Sequence, residues 1–147
     1  ILPTLLSRCI NYKISLTNKE CFNISSSLLN EESKNLINKD LICYYFTPGM
    51  IYYLAKFAEQ HDYDLSTLDL KSFLKIIIKE NHYKKDPFMK YMIFHLMEFY
   101  FRKLNISFST KFNDRYSYFI RRISDTKTFN LDEESLFMEF EEEILNG

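Results

Sequence analysis

The sequence predicts a mainly α-helical protein with a single strand near its start. Only two of the 147 residues are Gly and three are Pro, which leaves little material for the tight turns of an all-β chain. Apolar residues recur at helical spacing along most of the sequence. Hydrophobic residues make up 46% and charged residues 27%, as in an ordinary globular chain, so we expect one sizeable core or two small ones.

The predicted strand runs from Ile10 to Leu16. Apolar side chains alternate there with polar ones, at Ile10, Tyr12, Ile14 and Leu16. A period of two places alternate side chains on one face of a sheet, which favours a strand over a helix.

Three short helices are predicted next. The first begins at Thr17 or Asn18, because Glu20 follows Thr17 at the spacing of a capping box. The second covers about Glu31 to Tyr45, with apolar residues at helical spacing. The third begins after Thr47, a good capping residue, since Pro is favoured in the first helical turn, and it ends near residue 60.

The polar residues 61–64 separate these short helices from longer ones. Helices are predicted over about 66–80, 87–104, 113–124 and 132–145. Pro87 suits the first turn of the second of these helices. We therefore expect a compact three-helix unit over residues 18–60 and a separate helical bundle over residues 66–145.

The cysteines and the hydropathy pattern predict a cytoplasmic protein. Cys9, Cys21 and Cys43 are odd in number and widely spaced, which fits neither a disulfide framework nor a zinc site. We expect reduced thiols. No apolar run approaches the roughly 20 residues that span a bilayer, so no membrane contact is expected. The sequence opens on Ile1 in an apolar stretch, and we expect it to be the C-terminal part of a longer protein.

Charge gives no general attraction to nucleic acid. The net charge is −1, so DNA binding would need a local basic patch. Lys84, Lys85 and Lys90 form the one obvious cluster, and we interpret it as a solvated helix start. His61, His82 and His95 have no Cys or His at metal-ligand spacing, so we predict no metal site.

One motif near the start is specific. Residues 2–9 read Leu-Pro-Thr-Leu-Leu-Ser-Arg-Cys, which resembles the leucine-proline-threonine…serine-arginine-cysteine signature of clamp-loader ATPases of the AAA+ class. In that family the motif ends the nucleotide-binding domain and precedes its last strand. The resemblance implies that Arg8 points at ATP held by a neighbouring subunit, while Ser7 and Cys9 position it. The alternative is an ordinary arginine at a helix end.

The chemistry of arginine suits such a role. A planar guanidinium that is always charged can stabilise the negative charge that spreads over the γ-phosphoryl oxygens during transfer. The sequence has no glycine-rich phosphate loop, acidic metal-binding motif or catalytic triad. We therefore expect no active site and no bound cofactor in this part of the protein, with ATP bound by neighbouring subunits.

A second resemblance, at Thr47-Pro48-Gly49, concerns the kind of subunit. The turn is similar to the serine-proline-glycine turn in the lid domains of the delta-prime family of bacterial clamp-loader subunits, although Phe46 replaces the glycine that commonly precedes it. In subunits that hydrolyse ATP, a sensor arginine usually stands where this chain has Gly49. The resemblance implies a subunit that does not use ATP productively. A plain capped helix explains the same residues.

A third resemblance covers residues 129–139, which look like the asparagine-leucine-aspartate segment at the start of the last helix in many delta-prime subunits. Asp132 would cap that helix, whose acidic first turn suits its positive end. The glutamates at 139 and 141–143 could suggest a metal site. We interpret them as a solvated face, because adjacent helical residues point in different directions.

The resemblance implies three domains. Residues 1–16 would end an AAA+ nucleotide-binding domain, residues 17–64 would form a helical lid, and residues 65–147 a helical collar. The implied function is that of a subunit of the DNA polymerase III holoenzyme, a DNA-directed DNA polymerase. It would join other loader subunits in a ring and help load the sliding clamp on primed DNA. The alternatives are the ATP-hydrolysing gamma or tau subunit and an unrelated helical interaction domain.

Aromatic residues are dense in the helix that begins near Pro87. They are Tyr91, Phe94, Phe99, Tyr100 and Phe101. One helix of a small bundle can hardly bury them all, so we expect some on an exposed apolar patch that contacts another subunit.

Overall fold

The computed structural model describes residues 16–29, 33–43, 46–105 and 111–146. Within these ranges the chain is helical apart from connecting segments and contains no strand, which confirms the mainly α prediction. The predicted strand lies outside the described residues except for Leu16, which is not in a strand. None of the helices in these ranges is long and apolar enough to cross a membrane.

The helices are named here in chain order. They are α1 (Asn18–Leu29), α2 (Ser33–Leu36), a 3₁₀ turn (Lys39–Leu41), α3 (Pro48–His61), α4 (Leu70–Lys79), α5 (His82–Lys85), α6 (Pro87–Asn105), α7 (Lys111–Phe129), α8 (Glu133–Phe140) and a π-helical turn (Glu141–Leu145).

Helix α1 begins with the predicted capping box. The backbone N–H of Thr17 donates to Glu20 Oε2 at 2.7 Å, and the N–H of Glu20 donates to Thr17 Oγ1 at 3.3 Å. The buried side of α1 carries Cys21 and Ser25. Ser25 Oγ donates to the carbonyl oxygen of Pro48 at 3.3 Å, which ties α1 to the start of α3.

The prediction of a single second helix over about 31–45 is wrong for the residues that the structure describes in that range. They form the four-residue α2 and a separate 3₁₀ turn. Asn38 interrupts the helix, because its side chain accepts from the N–H of Asp40 at 3.0 Å and its own N–H donates to the carbonyl of Leu65 at 2.8 Å. Local hydrogen bonds of Asn side chains compete in this way with helix formation.

Helix α4 begins later than the predicted residue 66. Asp64 Oδ1 accepts from the N–H and the hydroxyl of Ser66 at 3.0 and 2.6 Å, which forms a turn instead. Asp69 then caps the helix by accepting from the N–H of Ser72 at 3.0 Å. The short helix α5 was not predicted from the sequence.

The last three long helices fall close to their predicted positions. Pro87 begins α6, and Asp86 caps it by accepting from the N–H of Phe88 at 2.7 Å. Helix α7 continues to Phe129, past the predicted residue 124. Asp132 caps α8 as predicted. The chain then widens into a π turn, in which the N–H of Asn146 donates to the carbonyl of Glu141 at 2.9 Å.

The buried side chains of the described residues form one hydrophobic cluster, which extends from Cys21 in α1 to Leu145 at the end of the π turn. Phe57 of α3 belongs to this cluster and is 3% exposed, and its ring lies near those of Phe73 in α4 and His82 in α5. The cluster therefore contains residues from both sides of the predicted lid and collar boundary. The division into domains at 1–16, 17–64 and 65–147 stays a prediction.

Candidate functional site

The predicted arginine finger and its neighbours lie outside the described residues. Ser7, Arg8 and Cys9 all precede residue 16, where the described structure begins. Their roles therefore stay predictions. The other two cysteines, Cys21 and Cys43, are both buried.

The predicted lid turn is described, and it is a helix start. Thr47 caps α3, with its hydroxyl accepting from the N–H of Met50 at 3.3 Å, and Pro48 occupies the first turn. Phe46, the residue before the cap, is buried at 5% exposure. Its carbonyl accepts a hydrogen bond from Cys21 Sγ at 3.4 Å. This contact fixes the entry to α3 against α1.

Gly49 is exposed in the first turn of α3, and its backbone does not require glycine. Its φ is not positive, unlike that of Asp62 at the other end of the helix. A Cβ built at position 49 would meet only Thr47 Oγ1, at 3.8 Å, which is an ordinary van der Waals distance. Neither the backbone conformation nor the packing around a Cβ therefore imposes glycine at this position.

A cluster of rings joins the end of α3 to α4 and α5. We call it the aromatic joint, and its members are Phe57, His61, Tyr63, Phe73 and His82. The ring centroids of His61 and His82 are 4.4 Å apart, and those of Phe57 and His82 are 4.9 Å apart. Tyr63 Oη lies 3.1 Å from His82 Nε2, at hydrogen-bond distance.

Burial governs the charge of the aromatic joint. His82 is 5% exposed, and its pKa is lowered first by burial and then by the nearby His61 and Lys85. Burial also raises the pKa of Tyr63. Both groups are therefore neutral near pH 7. The aromatic joint is not apparent from the sequence, because His61 and His82 come together only through the tertiary fold.

No group of three His, Cys, Asp or Glu side chains in the described part of the chain is placed to hold a metal ion.

The positive charge of the lysine cluster at residues 84, 85 and 90 is largely neutralised. Lys84 pairs with Glu134 at 2.7 Å and Lys90 with Glu133 at 2.8 Å, so the start of α8 balances two of the three charges. This favours the interpretation as a structural, solvated surface.

The aromatic residues of α6 are partly exposed, as expected. Tyr91 is 55% exposed, while Phe94 and Phe101 are buried at 5% and 0%. Phe99 and Tyr100 are half-buried. Phe88, one turn before Tyr91, is 39% exposed, with the two ring centroids 6.4 Å apart. The exposed aromatic surface is therefore smaller than the sequence suggested and lies at the first half of α6.

A groove beside α3 was not predicted. It has a volume of about 610 Å³ and lies between the ends of α1 and α2, one side of α3 and the turn at residues 62–66. Half-buried apolar side chains line it at Leu36, Ala55 and Ala58, and carboxylates at Glu59, Asp62 and Asp64. Its lining residues come from stretches that are separated along the sequence, at residues 29, 35–36 and 55–66, and only the fold brings them together.

Comparison with known proteins gave no match: no protein-family model, no curated protein and no solved structure matches this chain. The resemblance to clamp-loader subunits therefore rests on the sequence motifs at residues 2–9, 47–49 and 129–139.

Proposed function

We propose that this chain is the C-terminal part of a clamp-loader subunit of the delta-prime family, a cytoplasmic component of bacterial DNA polymerase III. The observation that carries the proposal is the eight-residue motif at 2–9, followed at the family's spacing by a strand-like alternation. A helical chain with a capped, Pro-containing start of α3 is compatible with the lid and collar that would follow.

In the proposed mechanism, this chain supplies the positive charge of Arg8 to ATP hydrolysis in the adjacent subunit. Arg8 would reach the γ-phosphate of ATP bound by the adjacent subunit and stabilise the charge that develops there. The lid and collar would hold the subunit in a ring, so that ATP turnover is coupled to loading the sliding clamp on primed DNA. The chain itself would bind no nucleotide.

Gly49 supports this subunit over the ATP-hydrolysing gamma or tau subunit. The exposed first turn of α3 has room for a side chain, so glycine there is not imposed by packing or backbone strain. Because glycine stands where the sensor arginine would be, the proposed subunit would not use ATP productively. The exposed aromatic residues at the start of α6 are compatible with a contact to another subunit.

The test is ATP turnover by the loader complex reconstituted with the full-length protein carrying Arg8→Ala. We expect assembly to persist, while the ATP site that faces Arg8 slows by about 10³-fold and clamp loading falls with it. Arg8→Lys should not restore the rate, because an ammonium cannot reproduce the planar contact.

Arg121→Ala is the matched control, because the Arg121 side chain is 86% exposed. It should leave both readouts unchanged. Unchanged turnover with Arg8→Ala in an assembled complex would refute the finger. Failure of the unmodified protein to join loader subunits would favour an unrelated helical interaction domain. ATP binding by the full-length subunit alone would favour the gamma or tau alternative.

A further inference from the structure

We propose that the groove beside α3 binds a basic, amphipathic peptide segment of a partner protein. This inference does not rest on the proposed clamp-loader function. Its basis is an open apolar floor with a negatively charged rim. At about 610 Å³ the groove falls within the range of about 300–1,000 Å³ that is usual for binding sites.

The floor of the groove offers apolar surface that the fold leaves uncovered. Ala55 and Ala58 lie one turn apart on α3 and are only half-buried, and the half-buried Leu36 of α2 lines the same groove. The short alanine side chains would let the backbone of an occupant approach α3 closely. Helix α1 contributes Leu29 to the lining, and elsewhere on its surface Ile24 is 41% and Leu28 is 55% exposed. An apolar stripe of a helix or extended peptide fits such a floor.

The rim carries the charge that selects the occupant. Glu59, Asp62 and Asp64 supply three carboxylates against one lysine, Lys56, which gives the lining a net charge of −2. Hydrogen bonds from the side chain and N–H of Ser66 hold the pKa of Asp64 below its usual value, so this carboxylate is ionised at neutral pH. Lys56 is held at 2.6 Å by Glu59. An occupant with several positive charges is therefore favoured over an acidic one.

The spread of the carboxylates argues for a peptide and against a metal ion. A metal ion needs ligands that converge on one point, and the described residues contain no such group of three. The three carboxylates instead follow the end of α3 and the turn after it, beside the apolar floor. Lysine or arginine side chains that flank an apolar stripe match this arrangement.

The first experiment uses a fluorescein-labelled helical peptide of about 16 residues, with leucines at i, i+3, i+4 and i+7 and lysines elsewhere. A matched peptide carries glutamates in place of the lysines. We expect fluorescence anisotropy to show binding of the lysine peptide alone, weakened by salt. Amide NMR shifts should change at Leu36, Ala55 and Ala58. Equal binding of the two peptides, or binding of neither, would overturn the proposal.

Two variants localise the effect. Glu59→Gln with Asp62→Asn removes the net charge of the lining, and Asn tolerates the left-handed backbone at residue 62, where φ is 62°. We expect lysine-peptide binding to weaken by about five- to tenfold. Ala55→Gln should abolish it by filling the floor while keeping good helix propensity.

The control removes the same number of negative charges at a position outside the groove. Glu142 and Glu143 are exposed in the π turn, away from the groove lining, so Glu142→Gln with Glu143→Gln should leave peptide binding unchanged. An equal loss in this control would show nonspecific charge attraction and refute the site. Sedimentation of the free chain provides a further check. A dimer that Ala55→Gln dissociates would identify a second copy as the occupant, which also refutes the proposal.

Discussion

The imidazole of His82 lies among Phe57, Tyr63 and His61, and this environment makes its neutral form the stable one. Burial disfavours the charged ring, and the neighbouring His61 and Lys85 add to the effect, so the pKa of His82 is lowered. The pKa of His95 is lowered as well, by burial and by Lys127. At the scale of single residues, protonation is therefore linked to the stability of the fold.

The expected result is a stability that depends on pH between about 5 and 7. An unfolded chain protonates His82 near its ordinary pKa of about 6.5, whereas the folded chain resists protonation to lower pH. The unfolded state binds more protons in this window, so the free energy of unfolding falls as pH falls from about 7 to 5. Urea unfolding at several pH values measures this slope.

His82→Gln removes the titrating group and should reduce that slope, leaving the part that His95 contributes. His61→Gln should reduce the slope only in part, because it removes one of the neighbours that lower the pKa of His82 and leaves the burial of His82 in place. An unchanged slope in His82→Gln would contradict the prediction. The carboxylates whose pKa values are lowered, such as Asp64 and Asp69, affect stability mainly below this window.

At the scale of elements, side-chain caps decide where most of the helices begin. Thr17, Thr47, Asp69, Asp86 and Asp132 each accept a hydrogen bond from a backbone N–H in the first turn that follows. Each satisfies a donor that has no partner within the helix. The starts of α1, α3, α6 and α8 were predicted well, because their cap and Pro signals are local.

Thr47→Ala should lower the free energy of unfolding by about 1 kcal/mol, because it removes the cap of α3. Thr47→Ser keeps the hydroxyl and should retain most of the stability. Urea unfolding at pH 7 measures both variants. Equal loss in the two would show that the methyl group of Thr47, and not its hydrogen bond, supports the start of α3.

The start of α4 was missed because of the local turn at Asp64, whereas the predicted second helix fails partly because of a partner far along the sequence. Asn38 ends the predicted second helix partly through a hydrogen bond to Leu65, and no local pattern announces that contact. The groove and the aromatic joint escaped prediction for the same reason. Thr47, Pro48 and Gly49 could be placed at a helix start from the sequence, because capping is a property of adjacent residues.

At the scale of the whole molecule, Phe57 connects the two predicted halves. Its ring centroid lies 6.2 Å from that of Tyr53 in α3 and 6.3 Å from that of Phe73 in α4. Asp40 and Lys103 also pair across the halves at 2.8 Å. Shared packing of this kind couples the unfolding of the segments that supply it.

Phe57→Ala should lower the free energy of unfolding by about 3–5 kcal/mol, because it leaves a cavity in the cluster. We expect one calorimetric transition in both the unmodified chain and the variant, shifted to lower temperature in the variant. Phe129→Ala is the control, since Phe129 is 69% exposed and should cost little. Two separate transitions, only one of them shifted, would show that the halves unfold independently.

Three helix or turn ends use Asp62, Asn81 and Asn130 with positive φ, where glycine is the usual residue. The codons of asparagine and glycine determine how easily one residue can replace the other at these positions. Asparagine codons begin with two adenines and glycine codons with two guanines, so no single base change converts one into the other. Two successive base changes are needed, and the intermediate codon encodes Asp or Ser. Of these two residues, Asp tolerates the left-handed backbone well. A gene rich in A and T, as the many Asn, Lys and Ile residues suggest for this chain, can therefore keep asparagine at these ends even where glycine would fit with less strain.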